Sequence, residues 1–445
     1  MEFPRSLHIA TYDMRGTVVD SESTKPCRQT GLVVHTHQLL GEVTRRYPST
    51  RLAITQTGAD TPPYRLRTPD GHLALAQAIS TSFPRYLGAA DGRGKDPDRV
   101  RAYYEERIDD PGNPVYHSLA SQYAQAIRRA ASRNLLLQNI NPITAVLKAE
   151  EFGYLDADGL GRLNLTGVVH DISGAQRRFD YLRRRIERTG HSVWLIAVSD
   201  AVQAALVAAG IPARRMATVV NGLDVQGFQD RVNQARAGAV FEAVHRRNQL
   251  PAAGRMILMS ARRVAWKGHH DLVEAVAILA SRGLCEGMYV AINGHGLVDT
   301  RDPGYEHDLA KAITDRGLAD RVFLLDDLAP DEVAACYGAA HVAVLPSRLP
   351  EAFGYANIEA MLAGVPVVTT AHGGPLGYID HGRSGLLVNP ADPVALADAL
   401  QRLLTDPDLH AGIAAAGRSS ARRFSVENMF DGYAAVLAAH PGAGR

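Results

Sequence analysis

Short apolar runs of strand length recur through the first half of the chain, at positions 8–11, 52–55, 135–137, 167–169 and 193–198. Between most of them apolar residues fall at helical spacing, as in His37, Leu40 and Val43 before the second run and Val202, Leu206 and Ala209 after the last. The second half repeats the alternation. Its runs lie at 256–259, 289–292, 322–325, 342–345, 367–368 and 385–388, with helical stretches at 272–279, 306–315, 332–337, 357–362 and 393–404. Two successive doubly wound α/β domains are the simplest account. Residues 1–217 are expected to form the first, Rossmann-like domain and 218–423 the second, with the Asn221-Gly222 turn near the join. In the last segment, 424–445, Val426, Met429, Phe430, Tyr433 and Leu437 share one helical face, which suggests a helix returning to the first domain. Residues 84–114, rich in Gly, Pro, Asp and Arg, read as an exposed insertion over the first domain.

Composition adds exclusions. The 445 residues are 46% hydrophobic and 21% charged, an ordinary globular balance for two large cores. With 48 basic against 47 acidic residues the net charge is +1, so no global field attracts polyanions and no nucleic-acid partner is expected. Cys27, Cys285 and Cys336 are odd in number and far apart, which suggests neither disulfides nor a zinc site and fits a reducing cytoplasm. Nowhere do 18 apolar residues run uninterrupted, and the N-terminus lacks the pattern of a signal peptide. Only Lys25, Lys95, Lys148, Lys267 and Lys311 are lysines, so each draws notice in an arginine-rich chain.

The chemistry gathers where loops should follow strands. Glu351 and Glu359 bracket a segment that follows the run 342–345, with a helix expected to begin near Gly354. The free N–H groups of a helix start attract an anion such as diphosphate. Two carboxylates eight residues apart on a helix stand about 12 Å from each other, a span that can grip opposite ends of a nucleotide sugar. Arg262 and Lys267 follow the run 256–259 and offer a planar fork and a point charge for a diphosphate. Gly373-Gly374-Pro375 come after the run 367–368, with glycines that permit close backbone approach.

These residues resemble the retaining GT-B glycosyltransferases of family 4, near the sucrose-synthase and sucrose-phosphate-synthase branch. The resemblance is carried by the E-x7-E motif Glu351 to Glu359, by Arg262 with Lys267, by Asn293-Gly294-His295-Gly296, by Gly373-Gly374-Pro375 and by the stretch 382–387. In the first half Thr30-Gly31, His170-Asp171, Ala197-Val198-Ser199 and Asn221-Gly222-Leu223-Asp224 also match. It implies an α/β fold of two Rossmann-like domains facing across a cleft, the first binding acceptor and the second the nucleoside-diphosphate sugar. It further implies that Arg262 and Lys267 hold the diphosphate and Glu359 the ribose. Glu351 with the backbone of Phe353, Gly354 and Tyr355 would take the transferred sugar. Residues around Leu325 would contact the base, His170 would lie near the donor sugar as a catalytic group beside Glu351, Lys267 and Arg262, and Gly31 and Asp171 would serve the acceptor. The implied reaction is metal-independent same-face transfer with no cofactor beyond the sugar nucleotide.

Rival readings fare worse. Gly294-His295-Gly296 lacks the third glycine of a dinucleotide fingerprint, Asp156-Ala157-Asp158-Gly159 lacks later ligands for calcium, and Asp326-Asp327 is rejected as a metal pair. A nucleotide-sugar epimerase and a non-catalytic sugar-nucleotide-binding subunit remain the alternatives, which donor turnover with and without acceptor separates. The arginines 177, 178, 183, 184, 185 and 188 flank Phe179, Leu182 and Ile186, yet Asp180 and Glu187 favour a solvated helix over membrane docking. Partners are therefore a sugar nucleotide and a small hydrophilic acceptor, an aminocyclitol, sugar or thiol of bacterial secondary metabolism, with a homodimer also allowed for.

Overall fold

The computed structural model describes residues 2–11, 31–57, 64–67, 73–80, 84–88, 96–172, 174–189, 193–237, 239–294 and 303–439. Thr30, His295 and Gly296 of the motifs above lie outside the described residues. The chain divides into two compact units, Met1–Leu223 with Val426–Arg445, and Asp224–Ser425.

The first unit is built on strands β1 Ser6–Thr11, β2 Arg51–Thr57, β3 Tyr64–Arg67, β4 Leu73–Ile79, β5 Asn134–Gln138, β6 Asn164–Val169, β7 Val193–Ala197 and β8 Met216–Thr218. They form one sheet in the order β3-β4-β2-β1-β5-β6-β7-β8, parallel except for β3, which runs antiparallel to β4. A parallel sheet is covered on both faces, which is why β5 and β6 are buried along their whole length and read as continuous apolar runs. Because β8 still pairs with β7, this unit extends to Leu223, beyond the join expected at 217. The helix Val426–Ala439 belongs to the same unit, burying Val426, Met429, Phe430, Tyr433 and Leu437.

The segment expected as an exposed insertion is partly core. Tyr104 and Ile108 are buried, and Asn113 caps the helix Pro114–Ala130 while donating from its amide to the carbonyls of Tyr103 and Arg107. A polar composition hid two well-placed apolar anchors.

The second unit holds β9 Arg255–Ser260, β10 Met288–Asn293, β11 Val322–Leu324, β12 Ala340–Leu345, β13 Val367–Thr370 and β14 Leu386–Val388, all parallel, in the order β11-β10-β9-β12-β13-β14. Leu272, Val276 and Leu279 of the helix His269–Ser281 and Leu396, Leu400 and Leu403 of the helix Pro393–Thr405 share a core with Ile257, Val290, Val342 and Val344. Asp392 and Asp406 cap consecutive helices that each begin with a proline, a start that fixes where the chain turns. Chain order reverses at β9, with β10 on one side and β12 on the other. The switch point therefore lies between β9 and β12, and the carboxyl ends of the two strands that flank such a point are where open α/β sheets hold their ligands.

Candidate active site

In the second unit the three strand-end loops picked out by sequence meet one another. The loop after β9 touches the loop after β12: Arg348 donates its N–H to the carbonyl of Trp266 at 2.7 Å, and a side chain at Gly268, where φ is +79°, would overlap the carbonyl of Pro346. The loop after β13 locks onto the same segment. Gly373 and Glu351 form an isolated parallel bridge, Gly374 donates to the carbonyl of Glu351 at 2.7 Å, and a Cβ at Gly373 would overlap that carbonyl. The close approach that these glycines permit is therefore to the backbone of Glu351, Ala352 and Phe353. Thr370 Oγ1 donates to the carbonyl of Ser347 at 2.9 Å, and His372 Nε2 lies 2.8 Å from the same oxygen.

Charge is concentrated on this frame. Lys267 Nζ and Glu351 Oε1 are 2.5 Å apart, and Ser347 Oγ donates to the same carboxylate oxygen at 2.5 Å. Burial lowers the pKa of Lys267, Glu351 raises it by charge and hydrogen bond, and Arg262 lowers it again. Lys267 Nζ also lies 4.2 Å from the centroid of the half-buried Trp266 ring, with the Arg262 guanidinium 5.7 Å from it. Arg262 is half-buried, its pKa lowered by burial and raised by Glu351, and among the described residues its guanidinium makes no hydrogen bond or ion pair. Arg348, by contrast, is committed to Asp271, with bonds of 2.7 and 2.6 Å. Two cations therefore face one carboxylate. The helix Tyr355–Ala363 starts here behind Gly354, whose φ is +86°, and no side chain caps it. An excess positive charge beside an uncapped helix start is a place for an anion.

The other expected donor residues divide. Phe353 is buried, Gly354 and Tyr355 are half-buried, and all three sit at the helix start beside Glu351. Glu359 is also half-buried, its carboxyl pushed up by burial and held down by the Tyr337 hydroxyl, which donates to it at 3.1 Å, and by Arg231. Leu325 does not offer its side chain. It is fully buried, its N–H bonds to the carbonyl of Ile292 at 2.9 Å, and its carbonyl accepts from Arg263 Nη2 at 2.5 Å. As the last apolar residue of its run it belongs to the core, and only the residues after it reach an edge. Sequence reading missed Ser347, Arg348 and Tyr378. Ser347, four residues before Glu351 in the same turn, was the one with a local signal.

His170, expected near the donor sugar, and Gly31 and Asp171, expected at the acceptor, lie in the first unit. His170 follows β6, with Nε2 3.2 Å from Gln138 Oε1 at the end of β5, and its ring is edge-on to His35 at 4.9 Å. Tyr433 of the last helix is 3.0 Å from His35 Nε2. Burial lowers the pKa of His170 to about 4 and that of His35 well below its ordinary value, so both rings are neutral at pH 7. The Asp171 carboxyl is pushed up by burial against the pull of Arg178. Gly31 opens the helix Gly31–Arg46. Among the described residues no group of three or more His, Cys, Asp or Glu side chains is placed to hold a metal ion.

Residues 240–420 match the family model of the glycosyl transferases group 1. The second unit is a glycosyltransferase group 1 domain. A D-inositol 3-phosphate glycosyltransferase of Corynebacterium urealyticum is 34% identical over 48% of this chain and 49% of its own, so the chain spans about half the length of the curated relatives it matches. Among solved structures, sucrose-phosphate synthase of Thermosynechococcus elongatus aligns over 98% of this chain and 100% of its own, at 18% identity and a TM-score of 0.71. HepE of Anabaena, solved in complex with UDP and glucose, aligns over 97% of this chain and 100% of its own, at 18% identity and a TM-score of 0.68. The fold is thus that of the GT-B glycosyltransferases, as the motifs implied, and the glycosyltransferase domain contains Arg262, Lys267, Glu351 and Glu359. Among the described residues no helix is long and apolar enough to cross a membrane. The arginine-rich helix Gln176–Thr189 buries Phe179, Leu182 and Ile186, and Arg178 and Arg184 pair with Glu105 and Asp109.

Proposed function

We propose that this protein is a retaining glycosyltransferase that moves a sugar from a nucleoside-diphosphate sugar to a small hydrophilic acceptor. The observation that carries the reading is the charge imbalance in the glycosyltransferase domain: among the described residues Arg262 makes no hydrogen bond or ion pair, and Lys267 is shared with Glu351, beside a helix start that no side chain caps. In the reaction the anomeric C–O bond breaks and its electron pair leaves with the nucleoside diphosphate. Arg262, Lys267 and the helix N–H groups stabilise that charge as it develops, and fixed dipoles and charges aimed at a developing anion are the main source of rate in such sites. Glu351, held by Ser347, accepts hydrogen bonds from the transferred sugar, and Glu359 from the ribose. The acceptor oxygen bonds to the anomeric carbon on the face that the diphosphate leaves, and its proton passes to a phosphate oxygen. The His170 ring is neutral at working pH, so any part it takes is that of a dipole and not of a charge.

The name of the curated relative makes inositol phosphates and phosphorylated sugars the first acceptors to try, ahead of aminocyclitols and thiols. The test is incubation with UDP-, GDP- and ADP-sugars and each acceptor class, read by nucleoside-diphosphate release and product mass, with the anomeric configuration taken from proton NMR. Acceptor-dependent release with retained configuration is expected, at an initial rate unchanged by excess EDTA. Conversion of donor alone would mean an epimerase, binding without turnover a carrier subunit, and a rate abolished by EDTA and restored by Mg2+ a metal-dependent enzyme.

A further inference from the structure

Tyr378 follows the Gly373-Gly374-Pro375 loop and is almost completely buried. Its ring closes a triangle with Phe353 and Phe424, with centroids 5.8 and 5.6 Å away, and those two rings are 5.7 Å apart. The hydroxyl at the end of this ring has a separate task. It donates to the carbonyl of Phe353 at 2.7 Å and accepts from Asn357 Nδ2 at 2.9 Å. Asn357 is fully buried, in the first turn of the helix Tyr355–Ala363, and its amide also reaches Thr369 Oγ1 at 3.4 Å. One oxygen therefore ties the peptide that precedes Gly354 to the helix that follows it. A Cβ built on Gly354 would lie 3.0 Å from the hydroxyl, so the hydroxyl occupies the space that a side chain there would take.

A trans peptide is planar, with its C=O and N–H pointing opposite ways. Holding the Phe353 carbonyl inward, on Tyr378, therefore turns the Gly354 N–H outward. That N–H belongs to the backbone at which the proposed function places the sugar and diphosphate. The arrangement also costs stability: among the described residues the side-chain Oδ1 of Asn357 is buried without a hydrogen-bond partner. Burial raises the pKa of the Tyr378 phenol, so it stays protonated and able to donate at any working pH.

We infer that Tyr378 is a positioning residue of the donor site, whose hydroxyl aims the Gly354 N–H at the charge that develops on the leaving diphosphate. The inference rests on the proposed function and adds to it a residue that touches neither substrate. Tyr378→Phe removes the hydroxyl and keeps the ring; Phe424→Leu disturbs the ring triangle and keeps the hydroxyl. With the donor and acceptor that the wild type uses, Tyr378→Phe should lower kcat about 10- to 100-fold, below the loss seen when a direct donor is removed. Donor KM should stay within about threefold, because an interaction made chiefly in the transition state moves kcat and leaves ground-state binding nearly alone. Phe424→Leu should lower Tm more than Tyr378→Phe does, and kcat less. Wild-type kcat in Tyr378→Phe beside an active wild type would overturn the positioning role and leave the proposed function standing, as would a kcat loss that follows Tm equally in both variants. A wild type that neither turns over nor binds a nucleoside diphosphate by calorimetry would remove the proposed function, and this role with it.

Discussion

The two sheets share a parallel architecture and differ in what they put at their centres and strand ends. β9, in the middle of the second sheet, is apolar through Met256, Ile257, Leu258 and Met259, and its loop presents Arg262 and Lys267. β1, in the middle of the first, buries His8, which bonds to Thr55 at 2.7 Å, and the neighbouring β5 and β6 lead to Gln138 and His170. One unit offers an excess of fixed charge on loops clamped together by backbone contacts. The other offers neutral dipoles whose pKa values burial has pushed out of the working range. A departing diphosphate needs charge, and a hydroxyl-rich acceptor needs dipoles with selectable geometry, which is why the proposed function gives the donor to the second unit and leaves the acceptor to the first.

The sharpest way to break this comparison is to remove charge from the second unit. Lys267→Ala should cost about 100- to 1000-fold in kcat, with donor KM much less affected. Steady-state kinetics with the true acceptor decide it, and wild-type turnover in this variant would move the charge-stabilising role elsewhere. Next in size is the response of the first unit to acid. Burial lowers the pKa of His8 from 6.5 to about 4, so below pH 6.5 the unfolded chain takes up a proton that the folded chain refuses until about pH 4. Its contribution to stability is complete above pH 6.5 and lost as pH falls, by on the order of 3 kcal/mol across that window. Urea unfolding at pH 7 and pH 5 should show a smaller acid loss in His8→Gln than in wild type; equal losses would mean that His8 is not held neutral.

The smallest effect is optical. Lys267 lies over Trp266, so a diphosphate that draws the ammonium away should change the indole emission. Trp194→Phe leaves Trp266 as the sole reporter, and titration with nucleoside diphosphate reads it. A flat signal at concentrations that calorimetry shows to be saturating would separate the loop after β9 from the binding event.

Much of this was legible in the chain because parallel strands buried on both faces are continuous apolar runs, and because ligand loops at their ends are written in glycine and charge. β3, β4 and β8 escaped notice for physical reasons: β3 carries two arginines in four residues at a sheet edge, β4 is rich in alanine, a residue that favours helices over strands, and β8 is three residues long. In the site, Lys267, Glu351 and Glu359 were legible as charges that a core would reject. The side chain of Leu325 lies in the core because one residue separates the end of a strand from the loop that follows it, and no local pattern marks that step. Tyr378 was invisible for a different reason. Its hydroxyl acts on a main-chain carbonyl 25 residues earlier in the chain, and every residue type has that carbonyl.

The overlap that any side chain at Gly268 or Gly373 would make with a neighbouring carbonyl bears on redesign of the proposed donor site. With no room for a carbon at either place, the backbone of the three loops is a cast part and not an adjustable one. A mutant library aimed at a new donor sugar should hold positions 268 and 373 constant and vary the side chains around them, since diversity placed at those two positions would yield broken castings before it yielded new specificities.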